Sequence, residues 1–598
     1  MPLLPRARLL TAALAVAALS SAGAQAAAAG QTKGTGRTAT PIKHLVVIFD
    51  ENVSFDHYFG TYPYAPNPAG APAFHARPGT PTVNGLYSDI KYSDNTRAGP
   101  GGPRLTRNPN LSNPVRLGHD QPMTCDQDHF YTAEQNAADH GLEDLYAQNT
   151  GEHQTLDKCL AGLTYLGRPE PIPAGASKNY AVMDYYDGNS VTGLWNYAQH
   201  FAMSDDNYGT TYGTSTLGAL NVTAANTFCA TCGPASPDTI NDSPCAAPPG
   251  LTASNPLSSH LTTGQRGQPA AGRGTVTDDA DPTYDICSYL PSKYGGDGVA
   301  PADTVTMGGY NIGQELTTSH ITWGWFEGGF DHGYVPGRGT PPTTAQICAQ
   351  HHANVGGASV YDYVPHHEPF EYYASTANPM HRPPTSVAMI GRTDRANHQY
   401  DIADFWAAAD SGRLPSVSYL KAPAYQDGHA GYSDPLDEQT WLASTVNHLE
   451  SLPAWRSTAI IITWDDSDGW YDHVLGPIQT ESQTSLDSLT GPGQCGHQAG
   501  QVPTTRSGAP EPGRCGLGPR LPFLVISPYA KSDYVDSTVI DQSSVVKFIE
   551  YNWGLPALGN GAADAEAGSI RSMFSFRSAS NRPLFLNPAT GEPVARGS

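Results

Sequence analysis

The sequence predicts an α/β fold, a mostly parallel central sheet with helices on both faces and long loop insertions. Three observations lead there. First, short unbroken apolar runs recur: Leu45-Val46-Val47-Ile48-Phe49, Val417 to Leu420, Ala459-Ile460-Ile461-Ile462-Thr463 and Pro522 to Ser527. Strands without polar alternation are buried on both faces, which is how parallel sheets are built. Second, helix-period segments lie between them. Asp187 to Phe201 carries Leu194, Trp195, Ala198 and Phe201 on one side, and Asp541 to Trp553 opens on a capping acid, buries Val545, Phe548, Ile549 and Trp553, and stops at Gly554. Third, residues 61–118, 229–305 and 476–520 are rich in Pro, Gly, Ser and Thr, in a chain holding 62 Gly and 51 Pro. Such stretches are excursions from one core rather than domains of their own, so residues 41–598 are expected to form a single domain.

The N-terminus has a different logic. Arg6 and Arg8 precede an uncharged apolar run, Leu9 to Leu19, and a small-residue stretch containing Ala24-Gln25-Ala26. That order is a secretory signal peptide, expected over residues 1–26. The run is well short of the roughly 20 residues that span a bilayer, and no later stretch is apolar enough to do so. A secreted or periplasmic destination allows the nine cysteines to oxidise, with one thiol left over. Cys229-Ala230-Thr231-Cys232 is a lone CxxC and a weak zinc signal, whereas Cys495 and Cys515 sit in Gly-rich loops that would suit a disulfide. A formal net charge of -23 makes nucleic acid an unsuitable partner. The same charge repels a phosphorylated substrate, unless a bound cation reverses the field locally.

Ligands of open α/β sheets bind beyond the carboxyl ends of the strands. The first apolar run ends in Asp50-Glu51-Asn52 and the Ile460 run in Asp465-Asp466. Two strands thus deliver acidic groups to what can be one edge, where like charges require a cation or protons. Glu, Asn and Asp ligands suit one or more divalent ions, Mg, Ca, Mn, or Zn with mixed ligands. Helix caps and solvated turns use the same residues. Four histidines stand in polar, loop-like contexts: His129 in CDQDHFYT, His366 and His367 in VPHHEPFEYY, and His429 in DGHAGYSDP. Imidazoles there can bind phosphoryl oxygens or carry protons, although a single histidine is more often a satisfied structural residue. Finally, Thr210 to Leu220 is a hydroxyl-rich turn opening into a helix, whose N-terminal N–H groups favour an alkoxide or a bound phosphate. An ordinary N-cap reads the same way.

Taken together, the blocks HLVVIFDENVSFDHYFGTYP (44–63), CDQDHFYTAEQ (125–135), MDYYDGNSVTGLWNYAQHFAMSDDNYGTTYGTSTLGALN (183–221), WGWFEGGF (323–330), HHEPFEYY (366–373), VSYLKAPAYQDGHAGYSDPLDEQ (417–439), TAIIITWDDSDGWYDHV (458–474) and the segment 518–555 fall in one order along nearly the whole mature chain. In this the sequence resembles the bacterial phosphoesterases that include secreted phospholipases C and a branch of acid phosphatases, distant relatives of alkaline phosphatases. The resemblance implies an alkaline-phosphatase-like fold and a divalent metal on Glu51, Asn52, Asp465 and Asp466. It also implies Ser215 as nucleophile and further metal ligand, forming a covalent phosphoserine, and His129, His366, His367 and His429 as phosphate-binding and proton-transfer groups. Two departures stand out. Leu217 occupies a position where the family has Pro, which leaves Thr216 as a competitor for Ser215, and ENVSFDH replaces the ENRSFDH usual in the phospholipase branch. The expected substrate is a small phosphate ester or a phospholipid. An alternative is a phosphodiesterase specific for phosphatidylcholine-type lipids, whose apolar rim Trp323, Trp325, Phe326, Tyr372 and Tyr373 would supply. Another is a non-catalytic secreted binding protein on the same fold.

Overall fold

The structure, a computed structural model, describes residues 38–87, 104–151, 181–231, 279–289, 304–330, 339–477, 516–559 and 562–594, with short pieces at 245–246, 274–276, 334, 336, 489–491 and 494–495. The expected signal peptide, Cys232 and Cys515 lie outside the described residues, as does much of the three loop-rich segments.

Eight strands build the central sheet: β1 His44–Asp50, β2 Ala202–Ser204, β3 Trp323–Glu327, β4 Gln399–Asp401, β5 Val417–Lys421, β6 Thr458–Trp464, β7 Phe523–Ile526 and β8 Tyr534–Asp536. They lie in the order β4-β3-β5-β1-β6-β7-β2-β8. Neighbours run parallel throughout, except that β7 is antiparallel to both β6 and β2. The fold class is therefore α/β with a mostly parallel, mixed sheet. The apolar run from Pro522 marks β7 in the sequence, but an apolar run carries no direction, so its reversal is visible only in three dimensions.

The helices that matter for the site are α1 Phe55–Phe59, α2 Tyr131–Ala138, α3 Thr192–His200, α4 Ser215–Ala224, α5 Ile312–Thr318, α6 Ile402–Asp410, α7 Pro435–Ser451 and α8 Ser543–Trp553. Alternate residues of a strand face opposite sides, and β3 shows both sides covered. Trp323 lies so close to Gly313 of α5 that a Cβ there would strike its ring, whereas Phe326 packs edge-on against Phe405 of α6. Trp325 stacks on Tyr419 of β5, whose hydroxyl reaches the Val222 carbonyl of α4. Trp323, Trp325, Phe326, Tyr372 and Tyr373 are all buried. This corrects the expectation of an apolar rim: WGWFE is a central strand, and its aromatics belong to the core.

Register sets up the site. β1 and β6 pair residue for residue from His44 with Thr458 to Asp50 with Trp464. The chain segments beginning at Glu51 and Asp465 therefore leave the sheet side by side. Cys287 and Cys348 form a disulfide, with Cα atoms 5.5 Å apart.

Candidate active site

Ser215 is the first residue of α4, preceded by the N-cap Thr214 and by Gly213 at φ 113°. The helix seats tightly on β6: a Cβ at Gly218 would overlap the Asp465 carbonyl, so only glycine permits this approach. The Ser215 hydroxyl is brought among three oxygens from two other segments: Glu51 Oε2 at 3.0 Å, Asp466 Oδ2 at 3.1 Å and Asn52 Oδ1 at 3.2 Å. Thr216 turns elsewhere. Its backbone N–H and hydroxyl both donate to Asp279 Oδ1, at 3.0 and 3.1 Å. Of the two candidate hydroxyls, only that of Ser215 meets Glu51, Asn52 and Asp466.

Asn52 adopts φ 59°, a left-handed conformation that Asn tolerates better than most residues. This turn lets its backbone N–H donate to Asp465 Oδ1 at 2.8 Å and its Nδ2 donate to Asp468 Oδ1 at 3.1 Å. Asp465 holds the loop together through Oδ1, which also accepts the Asp466 N–H at 2.7 Å. Its Oδ2 has no hydrogen-bond partner among the described residues, although Asp465 is only 2% exposed.

Those contacts test whether the residues suit a cation. A serine hydroxyl has one proton to give, yet three acceptor oxygens converge on it and a fourth, Asp465 Oδ2, is orphaned nearby. Burial, followed by the Asp465 charge, pushes the Asp466 carboxyl well above its ordinary range. Ion-free, the cluster is both over-supplied with acceptors and inclined to hold protons. Glu51, Asn52, Asp465 and Asp466 thus fit a divalent ion, and the all-oxygen set suits a hard or borderline one.

The histidines surround this point. His367 Nε2 lies 3.4 Å from Glu51 Oε2. His366 is held between Asp281, 3.3 Å from Nδ1, and Asp279, 3.7 Å from Nε2. His129 Nδ1 sits 2.9 Å from the Gln127 carbonyl and 3.3 Å from Asp468 Oδ1. Burial opposes its charge, but Asp466, Asp468, Asp126 and Asp279 outweigh burial and raise its pKa well above the usual imidazole value. The His129 and His429 rings are 6.3 Å apart, and His429 stacks on Tyr432; there burial prevails and lowers the pKa. His367 thus meets Glu51 directly, His366 lies beside Asp279, His129 beside Asp468, and His429 stands beyond His129.

Several residues at the site escaped sequence reasoning. Lys421, fully buried at the end of β5, pairs with Glu51 Oε1. Burial lowers its pKa against the pull of Asp465, Asp427, Asp50 and Asp466. A lysine ending a strand run beside two acidic strand ends was the available signal. Asp279 and Asp281 come from the 229–305 segment, so this excursion returns chain to the site. Glu134 of α2 accepts from Ser467 Oγ and, at 2.8 Å, from Gly213 N, tying the serine-bearing turn to the β6 loop. Asp50, by contrast, is fully buried, with neither oxygen hydrogen-bonded among the described residues.

An acid-lined hydroxyl at a helix start, set at the carboxyl edge of a mostly parallel sheet and faced by imidazoles, is a candidate cation and nucleophile site on an α/β scaffold. The family follows from comparison. The family model described as "Phosphoesterase family" matches residues 42–556, and the chain belongs to that family. Relatives include the non-hemolytic phospholipase C of Pseudomonas aeruginosa, 31% identical over 190 residues, which covers 30% of this chain and 26% of that one. Phospholipase C A of Mycobacterium tuberculosis is 29% identical over 191 residues, 31% of this chain and 35% of that one. The non-specific phospholipase C6 of Arabidopsis thaliana is 30% identical over 148 residues, 23% of this chain and 25% of that one. The matched segments thus span about a quarter to a third of these relatives' lengths.

Proposed function

We propose that the chain is a secreted, metal-dependent hydrolase of phosphate esters on an alkaline-phosphatase-like fold, acting through a covalent phosphoserine at Ser215. The observation that carries it is the convergence of Glu51, Asn52 and Asp466 on the Ser215 hydroxyl, at 3.0 to 3.2 Å. Glu51, Asn52, Asp465, Asp466 and Ser215 would hold the ion. When bound, it would lower the pKa of the Ser215 hydroxyl and offset negative charge on the substrate. Ser215 attacks phosphorus in line with the leaving oxygen, and the positive end of the α4 dipole favours both alkoxide and phosphate. His129, His366, His367 and His429 donate hydrogen bonds to the equatorial oxygens and supply the proton that the leaving alcohol takes. Water then cleaves the phosphoserine. His366 is oriented for this by Asp281, and Lys421 balances Glu51 from behind. The signal-peptide pattern supports export, and no described helix is long and apolar enough to cross a membrane.

Two substrate readings sit within this proposal. The relatives, phospholipases C, favour that activity. The burial of the Trp323 to Phe326 aromatics removes one expected lipid rim and favours a small phosphomonoester. Rates on para-nitrophenyl phosphate, its phosphorylcholine ester and phosphatidylcholine vesicles in one buffer separate them. Ser215→Ala should abolish turnover of all three while retaining metal; undiminished turnover would remove the nucleophile assignment. Hydrolysis lost on chelation and restored by divalent metal would exclude a non-catalytic binding protein.

A further inference from the structure

Two short turns, Pro365–His367 and Pro369–Tyr372, flank Glu368. Behind them lies a second acidic cluster. Asp285, Glu327, Glu368 and Glu371 are each 0–1% exposed. Among the described residues, no lysine or arginine forms an ion pair with any of the four. Buried ionised carboxylates without a counter-charge cost several kcal/mol each, so something neutralises them.

His381 is the group that faces them. Its Nε2 lies 2.8 Å from Asp285 Oδ1 and its Nδ1 4.0 Å from Glu368 Oε2, with both side chains buried. An ionised carboxylate only accepts, so Nε2 carries a proton toward Asp285, and Nδ1 is left directed at Glu368. Nδ1 of His381 and Oε1 of Glu368 are buried and have no hydrogen-bond partner among the described residues. Positive charge is therefore called for between Nδ1 and Glu368, and a proton on the ring or a cation bound by both can supply it. The ligand atoms of Glu368, Glu371 and His381 lie within 4.8 Å of one another, close enough to share one ion. An imidazole whose far nitrogen is held by a carboxylate is also the usual arrangement of a metal-bound histidine.

We propose that Glu368, Glu371 and His381 hold a structural divalent cation of the zinc or manganese class, with Asp285 orienting the imidazole from behind. Two carboxylates plus one imidazole suit such an ion better than calcium or magnesium, which prefer all-oxygen sites. The ion pins the turns on either side of Glu368 and so fixes His366 and His367 where they meet Asp279 and Glu51. It is independent of the Ser215 centre, and its test reads metal content rather than turnover.

The full chain carrying Asp465→Asn and Asp466→Asn, exposed to zinc or manganese chloride and desalted, should retain about one equivalent of metal per chain by mass spectrometry. Adding His381→Gln or Glu371→Gln should remove that equivalent. Crystals of the unaltered chain, measured on either side of the metal absorption edge, should show an anomalous peak between Glu368, Glu371 and His381; this reading stands even if a variant does not fold. Metal-free double-Asn protein, an equivalent that survives His381→Gln, or an anomalous map without that peak would each overturn the site, leaving protons as what neutralises the cluster. Failure of the Ser215 proposal would leave the second equivalent untouched.

Discussion

At the scale of single residues, two neighbouring hydroxyls have opposite fates. Ser215 points at Glu51, Asn52 and Asp466, and Thr216 at Asp279. Ser215→Ala is expected to lower kcat by roughly 10⁴-fold or more, as loss of a nucleophile does. Thr216→Val gives up the hydroxyl's hydrogen bonds to Asp279, the Ala280 N–H and the Tyr372 hydroxyl but leaves the Ser215 cluster in place, and should stay within about tenfold of the parent. Steady-state kinetics on para-nitrophenyl phosphate check both. Glu450 carries a prediction of a different kind. It is buried in α7, accepts the Leu584 N–H at 2.8 Å, and burial pushes its carboxyl up to about 9 from 4.5. A raised acid pKa means that the folded chain binds the proton more tightly. Its contribution is whole below about pH 4.5 and is lost as pH rises through about 9. Glu450→Gln keeps the acceptor and removes the titration. Across that window the parent should lose stability relative to the variant, by at most about 1.4 kcal/mol per pH unit, which urea unfolding at several pH values would show.

At the scale of elements, the site depends on loops held by buried charge. Arg520 is fully buried and donates to Asp472 at 2.8 and 3.1 Å, to Asp56 at 3.3 Å, and to the Asn84 and Asp205 carbonyls at 2.7 and 2.9 Å. It thereby clamps α1, just beyond Glu51 and Asn52, to the loop that carries Asp465 and Asp466. His473 shares Asp56 with it at 2.6 Å. Asp56, Asp472 and His473 have metal-like spacing, but Arg520 already supplies their positive charge. Arg520→Met takes the guanidinium counter-charge from two buried acids and should cost about 3–5 kcal/mol, read as a fall in denaturation midpoint. The elements most legible in the sequence were those with uniform burial: β1, β5, β6 and α8 fall where apolar runs and helix-period patterns put them. β3 was not, because Trp and Gly in WGWFE suit a ligand-facing loop as well as a strand, and only its pairing with β4 and β5 distinguishes them.

At the scale of the molecule, long excursions are stitched back onto the sheet. The Cys287–Cys348 disulfide spans 61 residues and encloses β3 and α5. Closing a loop of that length is worth about 4 kcal/mol on the chain-entropy account. Paired Cys287→Ser and Cys348→Ser changes should destabilise the chain by up to about 4 kcal/mol, read as a fall in the denaturation midpoint.

The amino-acid order alone determined the α/β class, the strand ends bearing Glu51, Asn52, Asp465 and Asp466, and the hydroxyl-rich turn before α4. Each of these is written in local periodicity or in residues adjacent in the chain. Only the tertiary structure decided that Ser215 rather than Thr216 faces the acids, that Lys421 balances Glu51, that Asp279 and Asp281 reach His366, and that four acids cluster around His381. Those pairings join segments far apart in sequence, and their energies depend on burial and on which charges become neighbours. Both quantities arise when the sheet closes its register and expels water.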